Sequence, residues 1–350
     1  MQAGDIMRAW GLILRGRKPT LSIEITKECL LRCPGCYAFE DQHLGNGVNL
    51  RQLSDFKGDE LVRRVMGLAS ELRPLHLSLV GGDPLVRYRE VEQMLPQLLA
   101  LGIHVQLVTS AFRPMPDIWS SYHGFTLSVS VDGLEAEHNA RRAPATYERI
   151  LHNIANQRVT IHCTITGQMM KRPGYLREFM EHWSRVDAVQ KVWFSIFTPQ
   201  RGQVLPEILT PAERQDAIRQ IHELRGRYPK LAMPRRLVDH FGNPPASPSD
   251  CIFSQVTQTI SADLRTAITP CQFGGDPDCS QCGCMASMAL AAVGSHKVAG
   301  FIPVGSLFRA SVRLGALRRG AAPPLPGVPV GDGHAVNGLV SLRGVHHEDV

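Results

Sequence analysis

Cys29-Leu-Leu-Arg-Cys33-Pro-Gly-Cys36-Tyr37 follows the short apolar run Leu21-Ser-Ile-Glu-Ile25 and is the most informative stretch of the chain. Apolar and polar residues alternate in that run, as in a half-buried strand, so the three cysteines open a loop at a strand end. Their C-x3-C-x2-C spacing can place three thiolates on three corners of a [4Fe-4S] cube. The fourth iron then has no local ligand, which makes it a coordination site for a small molecule.

Zinc and a disulfide are the alternatives for this loop. Structural zinc takes four ligands, commonly as two pairs, and a group of three cysteines fits that pattern poorly. A disulfide would leave one cysteine over in a loop too tight to pair its sulfurs. We therefore expect Cys29, Cys33 and Cys36 to bind an iron-sulfur cluster.

Three further motifs follow the cysteine loop, and the four together resemble the radical S-adenosylmethionine (radical SAM) enzymes. Residues 79–84, Leu-Val-Gly-Gly-Asp-Pro, resemble the G-G-E-P motif of that family, with Asp83 in place of the usual Glu. Residues 128–133, Ser-Val-Ser-Val-Asp-Gly, resemble its fourth-strand segment, and residues 138–142, His-Asn-Ala-Arg-Arg, resemble the H-D-x-x-R-G stretch after it. The resemblance extends from about Leu21 to about Phe197.

The resemblance implies how S-adenosylmethionine (SAM) would be bound. Gly81 and Gly82 would let a strand end approach the methionine amino group, and Asp83 or neighbouring carbonyl groups would accept its hydrogen bonds. Arg142, in preference to Arg141, would pair with the SAM carboxylate.

Other side chains would contact the rest of the cofactor. Residues at strand ends would bind the ribose hydroxyls, namely Thr109, Ser110, Ser130 and Asp132. Tyr37, beside the last cysteine of the loop, would pack on the cofactor or the cluster, and an ordinary core aromatic is the alternative.

The composition predicts a globular chain in a reducing compartment. The chain has 350 residues, of which 43% are hydrophobic, and a formal net charge of +6. That modest, dispersed charge does not indicate a nucleic-acid surface. No secretory signal is evident, and no apolar run approaches the roughly 20 residues of a membrane helix. With nine cysteines, these features predict a cytoplasmic protein whose thiols serve metals or catalysis.

Strand and helix patterns alternate from residue 21 to residue 197, which predicts a parallel sheet with right-handed crossovers. The predicted strands are Leu21–Ile25, His76–Val80, His104–Thr109, Phe125–Val131, Thr160–Thr166 and Val192–Phe197. The predicted helices between them are Leu53–Leu72, Arg89–Leu101, Pro116–Ser120, Pro144–Gln157 and Gly174–Arg185, and a lead-in helix covers Ile6–Leu14.

Several of these strands carry polar side chains on one face. In Leu127–Asp132 and Ile161–Thr166 the apolar residues share one face and the polar residues, His162 among them, share the other. A parallel sheet covered by helices on both faces would be apolar on both, so the polar face is expected to line a cavity. The predicted fold class is therefore α/β, a partial (β/α)6 parallel barrel with a small cysteine-rich C-terminal domain.

The C-terminal part contains a second set of cysteines, Cys251, Cys271, Cys279, Cys282 and Cys284. Thr259–Thr266 is predicted to be a hairpin between the first two. The arrangement is similar to the auxiliary-cluster modules, called SPASM or twitch, that follow the barrel in many radical SAM enzymes. Five cysteines suffice for one [4Fe-4S] cluster and not for two, so the shorter twitch form matches better. The expected ligands are Cys251, Cys271, Cys279 and Cys282, with Cys284 competing, and zinc is the alternative metal.

The predicted organisation has five parts. A lead-in at residues 1–20 precedes the partial barrel at 21–200, a helical linker region at 201–250, the cysteine-rich module at 251–310 and a flexible tail at 311–350.

The resemblance implies a radical SAM enzyme, in which SAM is cleaved reductively at the [4Fe-4S] cluster to a 5′-deoxyadenosyl radical that abstracts hydrogen from a substrate. A flavodoxin or ferredoxin would donate the electron. A peptide or protein is the favoured substrate. Lipid or small-molecule biosynthesis is an alternative, motivated by the apolar segment Ala286–Leu307, which could contact a membrane surface. A non-catalytic iron-sulfur electron-transfer protein is a further alternative, and no catalytic acid or base stands out.

Overall fold

The structure is a computed structural model that describes residues 3–298 and 301–319. Within these residues no helix combines the length and the apolar character needed to cross a membrane. Of the predicted tail, residues 320–350 lie outside the described residues.

One parallel sheet of seven strands forms the centre of the protein, in the order β6-β5-β4-β3-β2-β1-β7. Its strands are β1 (Thr20–Glu24), β2 (His76–Val80), β3 (His104–Thr109), β4 (Phe125–Ser130), β5 (Val159–Ile165), β6 (Val189–Ile196) and β7 (Thr257–Ile260). In the described residues no strand pairing joins β6 to β7, so the sheet stays open between these two edges. A short antiparallel pair, β8 (Lys297–Val298) and β9 (Ile302–Pro303), lies near the C-terminal end.

Helices connect the strands and cover one face of the sheet. They are α1 (Ala3–Leu14), α2 (Gly58–Leu72), α3 (Tyr88–Ala100), α4 (Glu135–Arg142), α5 (Tyr147–Ile154), α6 (Gly167–Met170), α7 (Tyr175–Ser184), α8 (Pro211–Arg227), α9 (Arg235–His240), α10 (Ile252–Val256), α11 (Met285–Gly294) and α12 (Val304–Arg319). Short 3-10 helices occur at Tyr37–Phe39, Leu50–Gln52, Pro84–Arg87, Asp117–Ser121 and Cys279–Gln281.

The predicted α/β fold class and its parallel sheet are confirmed. All six predicted strands are present, with ends displaced by up to three residues, and the predicted helix at Pro116–Ser120 is a 3-10 helix at Asp117–Ser121. The predicted hairpin at Thr259–Thr266 is present as a short antiparallel turn, with a bridge between Ile260 and Ala267 and hydrogen bonds from Ser261 N to the Thr266 carbonyl at 2.8 Å and from Ile268 N to the Thr259 carbonyl at 3.0 Å. The sequence did not predict that Thr257–Ile260 also adds a seventh strand parallel to β1.

The two faces of the sheet have different chemistry. On β4 the outward side chains of Leu127 and Val129 are fully buried in the main core, and Phe194 of β6 packs on Phe179 of α7. The opposite face carries the polar residues and lines the interior of the partial barrel, which we call the lumen. Burial of the apolar face is the main stabilising contribution, and it leaves the lumen free for polar groups.

The cysteine-rich module contacts both edges of the open sheet. At one edge β7 pairs with β1 along its length. At the other edge the Gly283 carbonyl accepts a hydrogen bond from Ile196 N at the end of β6, at 2.9 Å. A Cβ on Gly283 would lie 1.9 Å from the Ile196 carbonyl oxygen, so only glycine allows this approach. The module therefore spans the gap that seven strands leave open.

The two faces of β4 give the first prediction. Leu127→Ala removes a fully buried side chain and is expected to lower the free energy of unfolding by about 2–5 kcal/mol. Thr126→Ala, on the lumen face of the same strand, is expected to change it by less than about 1 kcal/mol. Urea denaturation of anaerobic protein followed by circular dichroism measures both, and equal losses would contradict the assignment of the faces.

Candidate functional site

The three cysteines of the first motif lie in the loop that follows β1, at the carboxyl-terminal edge of the sheet. Gly35 has a φ of +66°, which glycine adopts without strain, and Arg141 Nη2 donates to the Pro34 carbonyl at 2.7 Å. The backbone between Cys33 and Cys36 is thus held from the far side of the barrel by Arg141.

The chemistry of these thiols fits a bound metal cluster. Burial raises the pKa of Cys29 to about 12, and the pKa values of Cys33 and Cys36 are raised for the same reason. The charges of Cys33 and Cys36 add to the shift at Cys29, so the three sulfurs lie near one another. A thiol that coordinates a metal is deprotonated by the metal in spite of such a shift. We therefore retain these three cysteines as the predicted ligands of a [4Fe-4S] cluster.

The glycine pair after β2 brings that strand end against the entrance of the cysteine loop. Gly81 has a φ of +137°, and Gly82 N donates to the Thr26 carbonyl at 2.8 Å. A Cβ on Gly82 would lie 2.1 Å from the Glu28 carbonyl oxygen, next to Cys29. No other residue fits there unless the loop moves, so the predicted close approach at this position has a steric basis.

Asp83 joins the ends of two strands. Its carboxylate is buried and accepts hydrogen bonds from Leu85 N at 3.0 Å and Thr109 Oγ1 at 2.6 Å. The second oxygen accepts from Ser110 N at 2.9 Å and Ser110 Oγ at 2.5 Å. Asp83, Thr109 and Ser110 are thus brought together as predicted, but their polar groups bond mainly to one another. The observed contacts make them a support for the end of β2.

Asp132 and the two arginines form a second polar cluster at the same edge, beyond the end of β4, the strand that contains Ser130. Arg142 Nε is 2.7 Å and Arg141 Nε is 3.3 Å from Asp132 Oδ2. Burial alone would raise the pKa of Asp132, but the guanidinium groups outweigh it and hold that pKa below its usual range. Arg141 also pairs with Glu207 at 3.0 Å. Within the described residues Arg142 bonds only through Nε, so its two terminal nitrogens are free to bind an anion.

The electrostatics place Arg142 beside the cysteine loop. Burial alone would lower the pKa of Arg142, but the nearby Asp132, Cys33 and Cys36 outweigh burial and hold that pKa above its usual value. A cation therefore lies beside the cysteines that would hold a cluster. This arrangement supports the predicted preference for Arg142 over Arg141.

Sequence reasoning missed a buried pair, Glu24 and His43. His43 Nε2 is 3.0 Å from Glu24 Oε1, both side chains are at most 2% exposed, and Ser261 Oγ donates to Glu24 Oε2 at 2.5 Å. His43 Nδ1 is 3.0 Å from the Phe273 carbonyl oxygen. Glu24 and Ser261 are 237 residues apart in the chain, and no local spacing could have linked them.

Tyr37 packs beside this pair. Its ring centroid lies 5.6 Å from that of His43 and 5.5 Å from that of Phe273. Burial raises its pKa, and the charges of Cys36, Cys271 and Cys284 among others act in the same direction. Tyr37 therefore lies between the two sets of cysteines, in a position compatible with the predicted contact to a cluster.

His162 faces the lumen, as its strand pattern predicts. Its Nε2 is 2.8 Å from Ser195 Oγ, and that hydroxyl also accepts a hydrogen bond from Met285 N at 3.2 Å. Burial lowers the pKa of His162 to about 4, with the charges of Asp132 and Arg142 acting in opposite directions. The ring is therefore neutral near pH 7 and connects the lumen to the start of α11.

All five cysteines of the second set line one cavity beside the module, together with Phe253, Phe273, Ser254, Ser287 and Thr198 among others. Burial raises the pKa of Cys271 to about 12 and that of Cys279 to about 11. Cys251 Sγ lies 3.2 Å from Ser287 Oγ, and Gln272 Nε2 donates to Cys284 Sγ at 3.3 Å. The convergence of these thiols fits a metal site in which any four of the five cysteines could be the ligands.

Arg214 of α8 holds the turn between two of these cysteines. Its guanidinium donates to the Gln281 carbonyl at 3.0 Å and to the Cys282 carbonyl. Among the described residues no group of three or more His, Cys, Asp and Glu side chains is arranged around a single metal ion. The nine cysteines are all free thiols, and Cys163 is buried on the outer strand face, as predicted for a structural residue.

The fit of Gly82 against the loop gives the second prediction. Gly82→Ala is expected to displace the backbone at Glu28 and Cys29 and to remove most of the iron bound at the first cysteine motif, which is about four of an expected eight irons. The matched control is Gly67→Ala in α2, where a Cβ meets nothing within 4 Å. Iron and acid-labile sulfide in anaerobically purified protein measure the effect, and a full iron content in Gly82→Ala would contradict the steric interpretation.

Comparison with known proteins agrees with this geometry. The sequence profile of the Radical SAM superfamily matches residues 23–182. The chain is 24% identical over 151 residues to an S-adenosylmethionine-dependent nucleotide dehydratase of Psychrobacter lutiphocae, which covers 38% of this chain and 49% of that protein. It is 32% identical over 87 residues to the PqqA peptide cyclase of Rhizobium meliloti, which covers 25% of this chain and 21% of the cyclase. The chain thus matches about half or less of the length of these relatives.

A solved structure extends the comparison to most of the fold. Streptococcus suis SuiB bound to precursor peptide SuiA superposes with a TM-score of 0.51 at 13% identity, covering 90% of this chain and 70% of SuiB. The superfamily profile begins in β1 and includes the cysteine loop, the glycine pair and both arginines. The radical SAM superfamily is therefore assigned to residues 23–182, the part of the chain that the profile matches.

Proposed function

We propose that the protein is an enzyme that binds SAM at a [4Fe-4S] cluster and abstracts hydrogen from a peptide or protein substrate. The superfamily uses this cluster and SAM. When bound and reduced, they supply a 5′-deoxyadenosyl radical as the hydrogen acceptor. The protein supplies binding, orientation and exclusion of water.

One observation carries this proposal, namely the convergence of three features at the carboxyl-terminal edge of the sheet. The cysteine loop follows β1, Gly82 presses the end of β2 against that loop, and Arg142 lies close enough to influence Cys33 and Cys36. In open parallel sheets, ligands bind in the crevice outside the carboxyl ends of the strands.

The residues of this edge have separable tasks in the proposed reaction. Cys29, Cys33 and Cys36 would ligate three irons. Arg142 would bind the SAM carboxylate with its free terminal nitrogens, oriented by Asp132 through Nε. Asp83 would fix the backbone at the glycine pair, which leaves nearby carbonyl groups to accept hydrogen bonds from the SAM amino group.

The lumen is the proposed binding site of the substrate. His162 and Ser195 present polar groups there, and His162 is neutral near pH 7, so it can both donate and accept a hydrogen bond. A peptide offers many such groups. The match to a peptide cyclase supports this substrate class, and SuiB, whose fold is similar, has been solved with a precursor peptide.

Small-molecule biosynthesis is the second candidate, because one matched relative is a nucleotide dehydratase. The lipid version of this candidate is less well supported. The helix α11, at the start of the apolar segment, buries Met288 and Ala292 and packs against α9, α10 and α12. That side of the helix is therefore not available to a membrane.

The third prediction tests the proposed cofactor chemistry. Anaerobic wild-type protein with two [4Fe-4S] clusters is expected to contain about eight irons, and the Cys29/Cys33/Cys36→Ala variant about four. On reduction with added SAM, only the wild type is expected to form 5′-deoxyadenosine. Cys163→Ala is the control, because that thiol is buried on the outer face of β5, away from the loop, and it is expected to behave as wild type.

Two outcomes would contradict the proposal. The first is 5′-deoxyadenosine formation by the triple variant at the wild-type rate. The second is wild-type protein with a full cluster content that forms none with dithionite or with a reduced flavodoxin or ferredoxin. Zinc would be assigned to the C-terminal module if the wild type held about four irons, the variant held none, and both retained zinc. Stimulation of the reaction by added nucleotides and not by peptides would favour the second candidate.

A further inference from the structure

A second opening of the lumen lies at the amino-terminal ends of β4, β5 and β6, opposite the cysteine loops. A cavity of about 520 Å³ occupies it. Its wall includes the segment Trp119–Leu127 before and within β4, Gln157–Thr160 at the start of β5, and Gln190, Lys191 and Trp193 of β6. The proposed cofactor chemistry uses none of these residues.

The cavity is continuous with the polar face of the sheet. The strand register pairs Thr160 with Lys191 and His162 with Trp193 on β5 and β6. Alternation along a strand then puts Lys191, Trp193 and Ser195 on one face. Ser195 bonds to His162 in the lumen. Trp193 and Lys191 therefore line the same interior, one and two alternation steps closer to the amino-terminal opening.

The opening is positively charged and has an aromatic wall. Arg158 and Lys191 are both exposed at the cavity, and His123 lies in its wall with Tyr122. None of the described lining residues is an Asp or a Glu, and neither the Arg158 nor the Lys191 side chain takes part in an ion pair or a hydrogen bond within the described part of the chain. Unpaired cations beside a concave wall attract anions.

The wall also contains two polar atoms without partners. Trp119 Nε1 and Gln157 Oε1 are buried and bond to nothing among the described residues. Both side chains are at least 95% buried. A buried donor or acceptor left unpaired costs about 1–3 kcal/mol, and neither atom is accessible from the cavity in this arrangement.

The distance between the two ends of the lumen limits the ligand. From Lys191 to Ile196 the strand β6 rises by five residues, which is roughly 16 Å at the usual 3.3 Å per residue. An extended peptide covers the same distance with about five residues. A small metabolite held at the opening could not reach the cofactor edge, whereas a peptide could.

We infer that the amino-terminal opening of the lumen binds an acidic segment of the peptide substrate, about five residues from the residue that reacts at the cofactor edge. Arg158 and Lys191 bind its carboxylates, and the aromatic wall of Tyr122 and Trp193 covers the chain between them. The inference rests on the proposed peptide substrate and adds to it a charge requirement and a spacing.

The test uses two amidated peptides that carry a neutral fluorophore, Gly-Asp-Glu-Asp-Gly-Gly and the neutral counterpart Gly-Asn-Gln-Asn-Gly-Gly. Fluorescence anisotropy with anaerobic, cluster-loaded protein measures their binding. Wild-type protein is expected to bind the acidic peptide at least about tenfold more tightly than the neutral one. The preference is expected to shrink as salt rises from about 0.05 M to about 0.5 M.

Two double variants locate the binding. Arg158→Gln/Lys191→Gln is expected to weaken binding of the acidic peptide by about tenfold or more. The matched control, Lys171→Gln/Arg185→Gln, removes the same charge from exposed positions on the outer helices and is expected to bind as wild type. Thermal melting by circular dichroism confirms that each variant is folded.

Each outcome decides the inference independently of the cofactor chemistry. Equal weakening by both variants would overturn the site, because only net charge would matter. Equal affinity of wild type for the acidic and the neutral peptide would overturn the acidic substrate class. Formation of 5′-deoxyadenosine is measured separately on wild type without peptide, so a failure of the proposed radical chemistry would be visible even where the acidic peptide binds at the opening.

Discussion

The buried pair of Glu24 and His43 is the contact on which the rest of the site depends. Moving a carboxylate and an imidazole out of water costs several kcal/mol, and the cost is offset only when their polar atoms are bonded. Here one Glu24 oxygen lies 3.0 Å from His43 Nε2 and the other accepts from Ser261, while His43 Nδ1 lies 3.0 Å from the Phe273 carbonyl oxygen. One pair thereby joins β1, the segment after the first cysteine loop, and the cysteine-rich module.

This constraint explains why the module is part of the barrel and not an appended domain. A sheet of six parallel strands leaves unpaired backbone groups at both edges. The module supplies β7 beside β1 and the Gly283 carbonyl beside β6, so it satisfies backbone groups at both edges. The cavity lined by its five cysteines lies between these two attachments. A metal bound there would therefore stabilise both edges of the barrel as well as its own loop.

The sequence predicted the features that short-range spacing encodes. The cysteine loop, the glycine pair and the six strands of the barrel each have a local pattern, and the structure contains all of them. The strand β7 was predicted as part of a hairpin, because Thr257–Ile260 reads as a short polar strand and its partner β1 lies more than 200 residues earlier. Glu24 was recognised only as a polar residue on β1. A polar residue on a lumen face shows that a partner is needed, but the identity of the partner depends on the fold.

Asp83 shows the same limit at a predicted site residue. Its motif predicted a residue near the SAM amino group. The structure adds that one carboxylate oxygen bonds to Leu85 N and Thr109 Oγ1 and the other to Ser110 N and Oγ, which ties the segment after β2 to the end of β3. The shorter side chain, compared with the usual Glu, keeps the carboxylate close to the backbone of Ser110, where it can accept from N and Oγ together. The motif therefore determines where the strand end lies, and in the proposed function the direct contact to SAM would fall to groups that the carboxylate positions.

The charges along the lumen impose a last requirement on the proposed reaction. Arg142 has its terminal nitrogens free at the cofactor edge, and an acidic substrate would compete there with the SAM carboxylate. Unpaired cations at the opposite opening remove this conflict, because Arg158 and Lys191 lie roughly 16 Å away along the strands, beyond about one Debye length in physiological salt. Acidic groups of a substrate would then bind where they do not displace the cofactor. The neutral His162, between the two ends, adds no charge that would favour either anion.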